Sequence, residues 1–222
     1  AIRALANPAD AVFLQRFFRT GPGEYGEGDR FLGIRVPAIR RLAREYRALT
    51  LSDAVRLLQS PWHEERLCAL ALMVERHRRG DGAERARVRR AYLANTHRID
   101  NWDLVDVSAP QIAGEPEDLD LWERLAASPL LWERRIAMLA TFAAIRRGRI
   151  EPTFSIAERL LRDEHDLMHK AVGWMLREAG KRDRAALEAF LDRHGARMPR
   201  TALRYAIERF PEPLRLHYLR RG

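Results

Sequence analysis

Hydrophobic residues recur along this chain at intervals of three and four, the spacing that keeps side chains on one face of an α-helix. Ile39, Leu42, Ala43 and Tyr46 form one such stripe, just after Pro37, a residue suited to the first turn of a helix. Leu67, Leu70, Ala71 and Val74 form a second, and Leu187, Phe190 and Leu191 a third. The alternating Val/Ile/Thr runs that strands require are nearly absent. Glycine, proline and serine interrupt the pattern at residues 21–28, 60–61, 80–82, 114–116, 128–129, 151–152, 180 and 198–199. Each interval between these breaks suits one helix of ordinary length. The pattern predicts an all-α protein.

The predicted helices repeat as pairs. The segments "HEERLCALALM", "NWDLVDVSA", "WERRIAMLATF", "MHKAVGWML" and "PRTALRYAI" each open on polar or cationic residues and continue into small apolar ones. Their reference positions, Arg66, Asn101, Arg135, Lys170 and Ala202, are 35, 34, 35 and 32 residues apart. A more ordinary amphipathic helix lies between successive blocks. Two-helix units of this period predict a HEAT-like or TPR-like solenoid, an α-α superhelix in which each repeat packs on its neighbours. The expected organisation is a single α-helical repeat domain over residues 1–222. Residues 1–30 are read as an N-terminal helix and a flexible glycine-rich linker, and residues 31–222 as stacked helix pairs.

Charge adds a partner to this picture. Forty Lys and Arg residues against 31 Asp and Glu leave a formal charge of +9 and a pI near 10.6, a field that suits a polyanion. Only Lys170 and Lys181 are lysines, so arginine, whose planar fork matches phosphate oxygens, supplies nearly all of it. Equivalent helices of a solenoid line one concave face. Arg66, Arg134, Arg135, His169, Lys170, Arg200 and Arg204 should therefore gather in a basic groove, joined by Arg35, Arg40 and Arg41. The competing reading is a set of solvated surface charges scattered by composition. No apolar run approaches the about 20 residues needed to span a bilayer, and no secretory pattern is seen at Ala1. Cys68, the single cysteine, lies in an apolar run and reads as a buried core residue of a protein from a reducing cytoplasm.

One block departs from the basic pattern. In "RIDNWDLVDVSAP", Trp102 and Asp106 are four apart and share a helix face. A carboxylate beside an indole is unexpected on a surface built only to hold phosphates, because the acid would repel them. Trp174 occupies a later block, and Arg135 the block between. Core packing of each tryptophan, and an ion pair of Asp106 with Arg135, remain alternative readings. His165 and His169 share a helix face, but no further ligand suggests a metal. The segment "GPGEYGEGDR" lacks the lysine and hydroxyl of a phosphate-binding P-loop.

These residues resemble the AlkD-like DNA alkylation-repair glycosylases, a family of HEAT-like repeat proteins. The resemblance runs from "FLGIRVPAIRRLAREY" through "NWDLVD", "LWERRIAMLATFA" and "DLMHKAVGWMLREAGKRD" to "MPRTALRYAIERFP", nearly the whole chain. It implies excision of cationic N3- and N7-alkylated purines from duplex DNA without flipping them into a pocket. It also implies that Asp106 is the catalytic aspartate, that Trp102 and Trp174 flank the lesion, and that Arg135 lies near the carboxylate. Arg35, Val36 and Pro37 match the place where the family's N-terminal helix approaches the opposite strand. The implied enzyme is a monofunctional glycosylase, monomeric, cytoplasmic and nucleoid-associated, with alkylated double-stranded DNA as partner and no metal, organic cofactor or membrane. A non-catalytic binder of branched or distorted DNA, and a protein-interaction scaffold, are the competing functions.

Overall fold

The computed structural model describes residues 1–221, and their only extended pairing is an isolated bridge between Arg30 and Trp62. The α-helices are α1 (Pro8–Gln15), α2 (Val36–Glu45), α3 (Leu51–Leu58), α4 (His63–Arg79), α5 (Gly82–Leu93), α6 (Trp102–Ile112) and α7 (Leu119–Ala126). They continue as α8 (Leu131–Arg146), α9 (Glu151–Leu160), α10 (Asp166–Gly180), α11 (Arg184–His194), α12 (Arg200–Ala206) and α13 (Glu212–Arg221). The five repeat blocks fall at the openings of α4, α6, α8, α10 and α12, as their polar-then-apolar pattern predicts.

Local chemistry starts most of the intervening helices. Thr50 and Asp53 form a reciprocal capping box on α3, and Asp81, Asp118 and Asp183 each accept a first-turn N–H of α5, α7 and α11. At α4 and α8 the N-cap residue makes no side-chain hydrogen bond; Ser60 and Ser128 serve their entries, accepting the N–H groups of Trp62 and Leu130 and donating to Glu65 and Glu133.

Contacts divide the chain into two compact units, residues 1–112 and 113 onward. In unit 1, α4 is the central element and packs on α2, α3, α5 and α6. It buries Leu67, Cys68, Leu70 and Met73. Its first turn is unusual, because His63, Glu64, Glu65 and Arg66 are all buried. The Glu64 carboxylate accepts the backbone N–H groups of Leu32, Gly33 and Ile34 at 2.7–3.1 Å, strapping that extended segment to the helix. At Gly33 the backbone has φ 77°, and a Cβ would lie 2.0 Å from the Asn7 carbonyl oxygen, so only glycine fits. Glu65 accepts hydrogen bonds from Arg3 and Ser60.

The glycine-rich stretch is not the loose link expected from its composition. Glu24 and Glu27 accept the N–H groups of Gly21 and Gly23 at 2.8 Å, and the buried Gly26 donates to Arg19 O at 2.9 Å. Carboxylates within the segment satisfy the donors that the glycines expose, and this builds an ordered turn.

In unit 2, α8 packs on α7, α9 and α10, and residues 135–141 and 143–145 of α8 are buried. Trp122 is fully buried and donates to Ala113 O at 2.9 Å. Helices α10 and α12 of this unit cross in close contact at Gly173.

Candidate functional site

The opening of α6 carries the unusual pair. Asn101, fully buried, accepts the Trp102 backbone N–H at 2.8 Å through its side-chain oxygen. Asp103 likewise accepts the Leu104 N–H at 2.8 Å. Trp102 and Asp106 are both half-buried, one helical turn apart. The Trp102 ring stacks on Phe18 with centroids 5.4 Å apart and planes 21° apart. Pro110 lies inside α6, so that position supplies no helical N–H to the Asp106 carbonyl. Burial, with the Asp106 charge as a lesser cause, pushes the Tyr92 hydroxyl above its ordinary range, so Tyr92 stays neutral and pairs with Ser108 Oγ at 3.0 Å.

A buried cluster of charges supports this turn. His63 Nδ1 is 2.7 Å from Asp29 Oδ2, and its Nε2 is 2.8 Å from Asp103 Oδ2. Arg66 donates to Asp29 and Asp100, each at 3.0 Å, and Asn101 donates to Asp29 at 3.2 Å. Burial alone would lower the His63 pKa, but Asp103 and Asp29 together outweigh it and raise it to about 9. The imidazole is therefore an imidazolium at neutral pH. Its ring lies 4.8 Å from both Phe18 and Phe31. Phe18, Phe31, Val36, Pro37, Leu67 and Asp103 are among the residues around a cavity of about 380 Å³. A smaller trough of about 190 Å³ runs between α2, α4 and α6 past Arg40, Val107 and Gln111.

The expected phosphate-binding residues of unit 1 divide into two kinds. Arg40 and Arg41 are exposed on α2, and Arg35 is exposed but forms a two-pronged pair with Asp10 at 3.0 and 3.1 Å. Arg66 corrects the sequence reading. It is 3% exposed, and its guanidinium holds Asp29 and Asp100 rather than facing solvent.

In unit 2, Arg135 is also a correction, since it is 4% exposed where a phosphate anchor was expected. Its Nη1 donates to Leu167 O in the first turn of α10 at 2.6 Å, so it secures the helix that carries Trp174. Trp174 is half-buried, with its ring 6.3 Å from Phe142. Arg134 is half-buried and engaged by Asp163 at 2.6 Å and by the Ser128 and Pro129 carbonyls. Lys170 pairs with Asp166 at 2.7 Å, and His169 Nε2 donates to Asp163 O at 2.5 Å. Arg200 and Arg204 are exposed on α12, with Arg200 reaching Leu219 O at 2.7 Å. His165 Nδ1 accepts the Leu167 N–H, which gives it a capping role. Among the described residues no group of three or more His, Cys, Asp or Glu side chains is arranged to hold a metal ion, and no helix is long and apolar enough to cross a membrane.

Phe18, Phe31, Asp29, His63 and Asp103 were not singled out from the sequence. They come from an N-terminal turn, an extended strap, α4 and α6. The nearest signal was the dense charge of "HEER", which reads equally well as a solvated helix start.

Comparison with known proteins agrees with this architecture. No curated protein matches the chain. A solved structure described as a predicted DNA alkylation repair enzyme from Enterococcus faecalis superposes with a TM-score of 0.73 at 18% identity, covering 93% of this chain and 97% of that one. At that identity the likeness establishes the fold. A family model described as DNA alkylation repair enzyme matches residues 1–210. The chain, all-helical and matched over nearly its whole length, thus belongs to the DNA alkylation repair enzyme family.

Proposed function

We propose that this protein is a monofunctional DNA glycosylase that hydrolyses the N-glycosidic bond of cationic N3- or N7-alkylated purines in duplex DNA, without flipping the base. The carrying observation is the half-buried Asp106, one helical turn from the half-buried indole of Trp102, in a chain of the alkylation-repair family. In this reading the enzyme works as a monomer on cytoplasmic DNA and needs neither metal nor organic cofactor.

The chemistry follows from the substrate's charge. Alkylation makes the purine a cation, so breaking the bond from C1′ to the ring nitrogen returns the electron pair to a base that leaves neutral. No general acid is needed. Positive charge then develops on the deoxyribose, and a fixed carboxylate stabilises it, the kind of term that dominates many enzymatic rates. Asp106 is assigned that role and the positioning of the attacking water, whose oxygen bonds to C1′ and whose proton is released. Indole faces attract cations by about 0.5–2 kcal/mol. Trp102 is assigned one such contact and, by the family resemblance, Trp174 another. Arg135, buried against Leu167 O, is assigned the support of α10 in place of a phosphate contact. Arg35, Arg40, Arg41, Arg134, His169, Lys170, Arg200 and Arg204 remain the proposed contacts to DNA phosphates.

The test is chromatography of bases released from methylated duplex DNA. Wild-type protein should release 7-methylguanine or 3-methyladenine, and Asp106→Asn should be slowed by roughly 10²–10³ while still binding. A wild-type protein that binds methylated duplex and releases no base refutes the catalytic reading and leaves a binder of distorted DNA.

A further inference from the structure

We propose that His63 is a positioning residue for the candidate site, bridging Asp29 and Asp103 so that the opening turn of α6 holds Trp102 and Asp106 in place. The placement rests on contacts within unit 1, and only the effect on rate rests on the glycosylase reading.

Both ring nitrogens of His63 face carboxylate oxygens, at 2.7 and 2.8 Å, and a carboxylate only accepts. Both nitrogens must therefore carry protons. Such a buried ionic bridge adds little stability over apolar packing, yet losing one partner strands a buried charge. It is thus better suited to holding a geometry than to strengthening a core. The bridge does not act alone. Asp29 also accepts from Arg66 and Asn101, and Arg66 donates to Asp100, so the first turn of α4 holds Asp100 and Asp103 directly and Asn101 through the shared Asp29. A second connection is aromatic, since Phe18 touches the His63 ring at 4.8 Å and the Trp102 ring at 5.4 Å. The charged groups at His63 are Asp29 from the N-terminal turn, Asp103 from α6, Asp100 before α6 through Arg66, and Arg66 and Glu64 from α4 itself. Glu64 is turned to the backbone of residues 32–34.

Deprotonation removes one donor, so a neutral His63 can hold only one of the two carboxylates. The other loses its partner, and the turn bearing Trp102 must rearrange. No apolar residue in this position would make that turn depend on pH.

The experiment follows the Trp102 indole N–H by ¹H–¹⁵N NMR, with the resonance identified by its loss in Trp102→Phe. In the wild type it should shift cooperatively with a midpoint at about 9. The transition should vanish in His63→Gln. Should that variant fail to fold, Asp103→Asn serves in its place, because Asp103 is partly exposed and the change leaves His63 with one carboxylate. Its midpoint should fall toward the ordinary histidine value of about 6.5. A Trp102 signal without an alkaline transition in the wild type, or an unmoved midpoint in Asp103→Asn, overturns the proposal.

A second arm measures single-turnover base release. Asp103→Asn should lower the rate by about tenfold, with affinity for methylated duplex unchanged, as expected for misplaced groups. An unchanged rate, or a loss of affinity that accounts for the slowing, refutes the catalytic consequence. A wild type that releases no base but whose Trp102 titrates sinks the glycosylase reading alone. An active wild type with a silent Trp102 sinks His63 alone.

Discussion

Replacing Gly173 by alanine tests how closely α10 and α12 must approach. A Cβ built at Gly173 lies 2.4 Å from the Ala202 carbonyl oxygen, 2.5 Å from Tyr205 Cβ and 3.1 Å from the Ala202 carbonyl carbon. Two of those atoms are backbone and the third is fixed to it, so no side-chain rotation relieves the clash. A carbon normally approaches a carbonyl oxygen to about 3.3–3.6 Å, so the helices must separate by about 1 Å. Overpacking of this kind costs about 1–3 kcal/mol. Alanine is intrinsically the better helix residue by about 1 kcal/mol, which offsets part of that cost. Because the clash is with backbone and a Cβ, the cost lies at the upper end of that range, and the net expectation is a destabilisation of about 2 kcal/mol. Urea unfolding followed by circular dichroism measures it. Gly82→Ala on α5 is the control, because a Cβ there meets nothing within 4 Å. It should be neutral or slightly stabilising. A Gly173→Ala protein as stable as wild type would show that α10 and α12 are not locked at this crossing.

Two further outcomes follow from the buried charges. The folded state raises the His63 pKa from an ordinary 6.5 to about 9, so this contribution is complete below pH 6.5 and disappears as pH rises through 9. Chemical denaturation across that window should show a loss of roughly 3 kcal/mol, absent in His63→Gln, and a wild-type stability flat from neutrality to beyond the folded pKa would contradict the bridge. Glu64→Ala strands the N–H groups of Leu32, Gly33 and Ile34 in a buried strap and should cost roughly 3 kcal/mol or more in the same assay. A cost near zero would mean that the strap finds other partners.

Much of the architecture was written locally. Hydrophobic spacing sufficed for helices because an α-helix closes its hydrogen bonds within a few residues. The block positions Arg66, Asn101, Arg135, Lys170 and Ala202 fall at or near helix openings, because each block's run of small apolar residues supplies the packed turns of a helix and its polar start marks the turn before them. The pairing of Trp102 with Asp106 was legible for the same reason, being a matter of one turn on α6. The buried setting of Cys68 also followed from its apolar neighbours.

The fate of each charge was not legible. Arg40 and Arg66 are the same residue type in similar helical surroundings, yet one lies at the surface and the other is enclosed by Asp29 and Asp100. Arg135 likewise matches its neighbour Arg134 in sequence, but it turns inward to Leu167 O. Periodicity along the chain determined where helices form and which residues share a face. Tertiary structure decided which cations are engaged, which loop is ordered, and that His63 links Asp29 to Asp103. Burial of a charge depends on counter-charges brought from distant segments, and no local pattern encodes that.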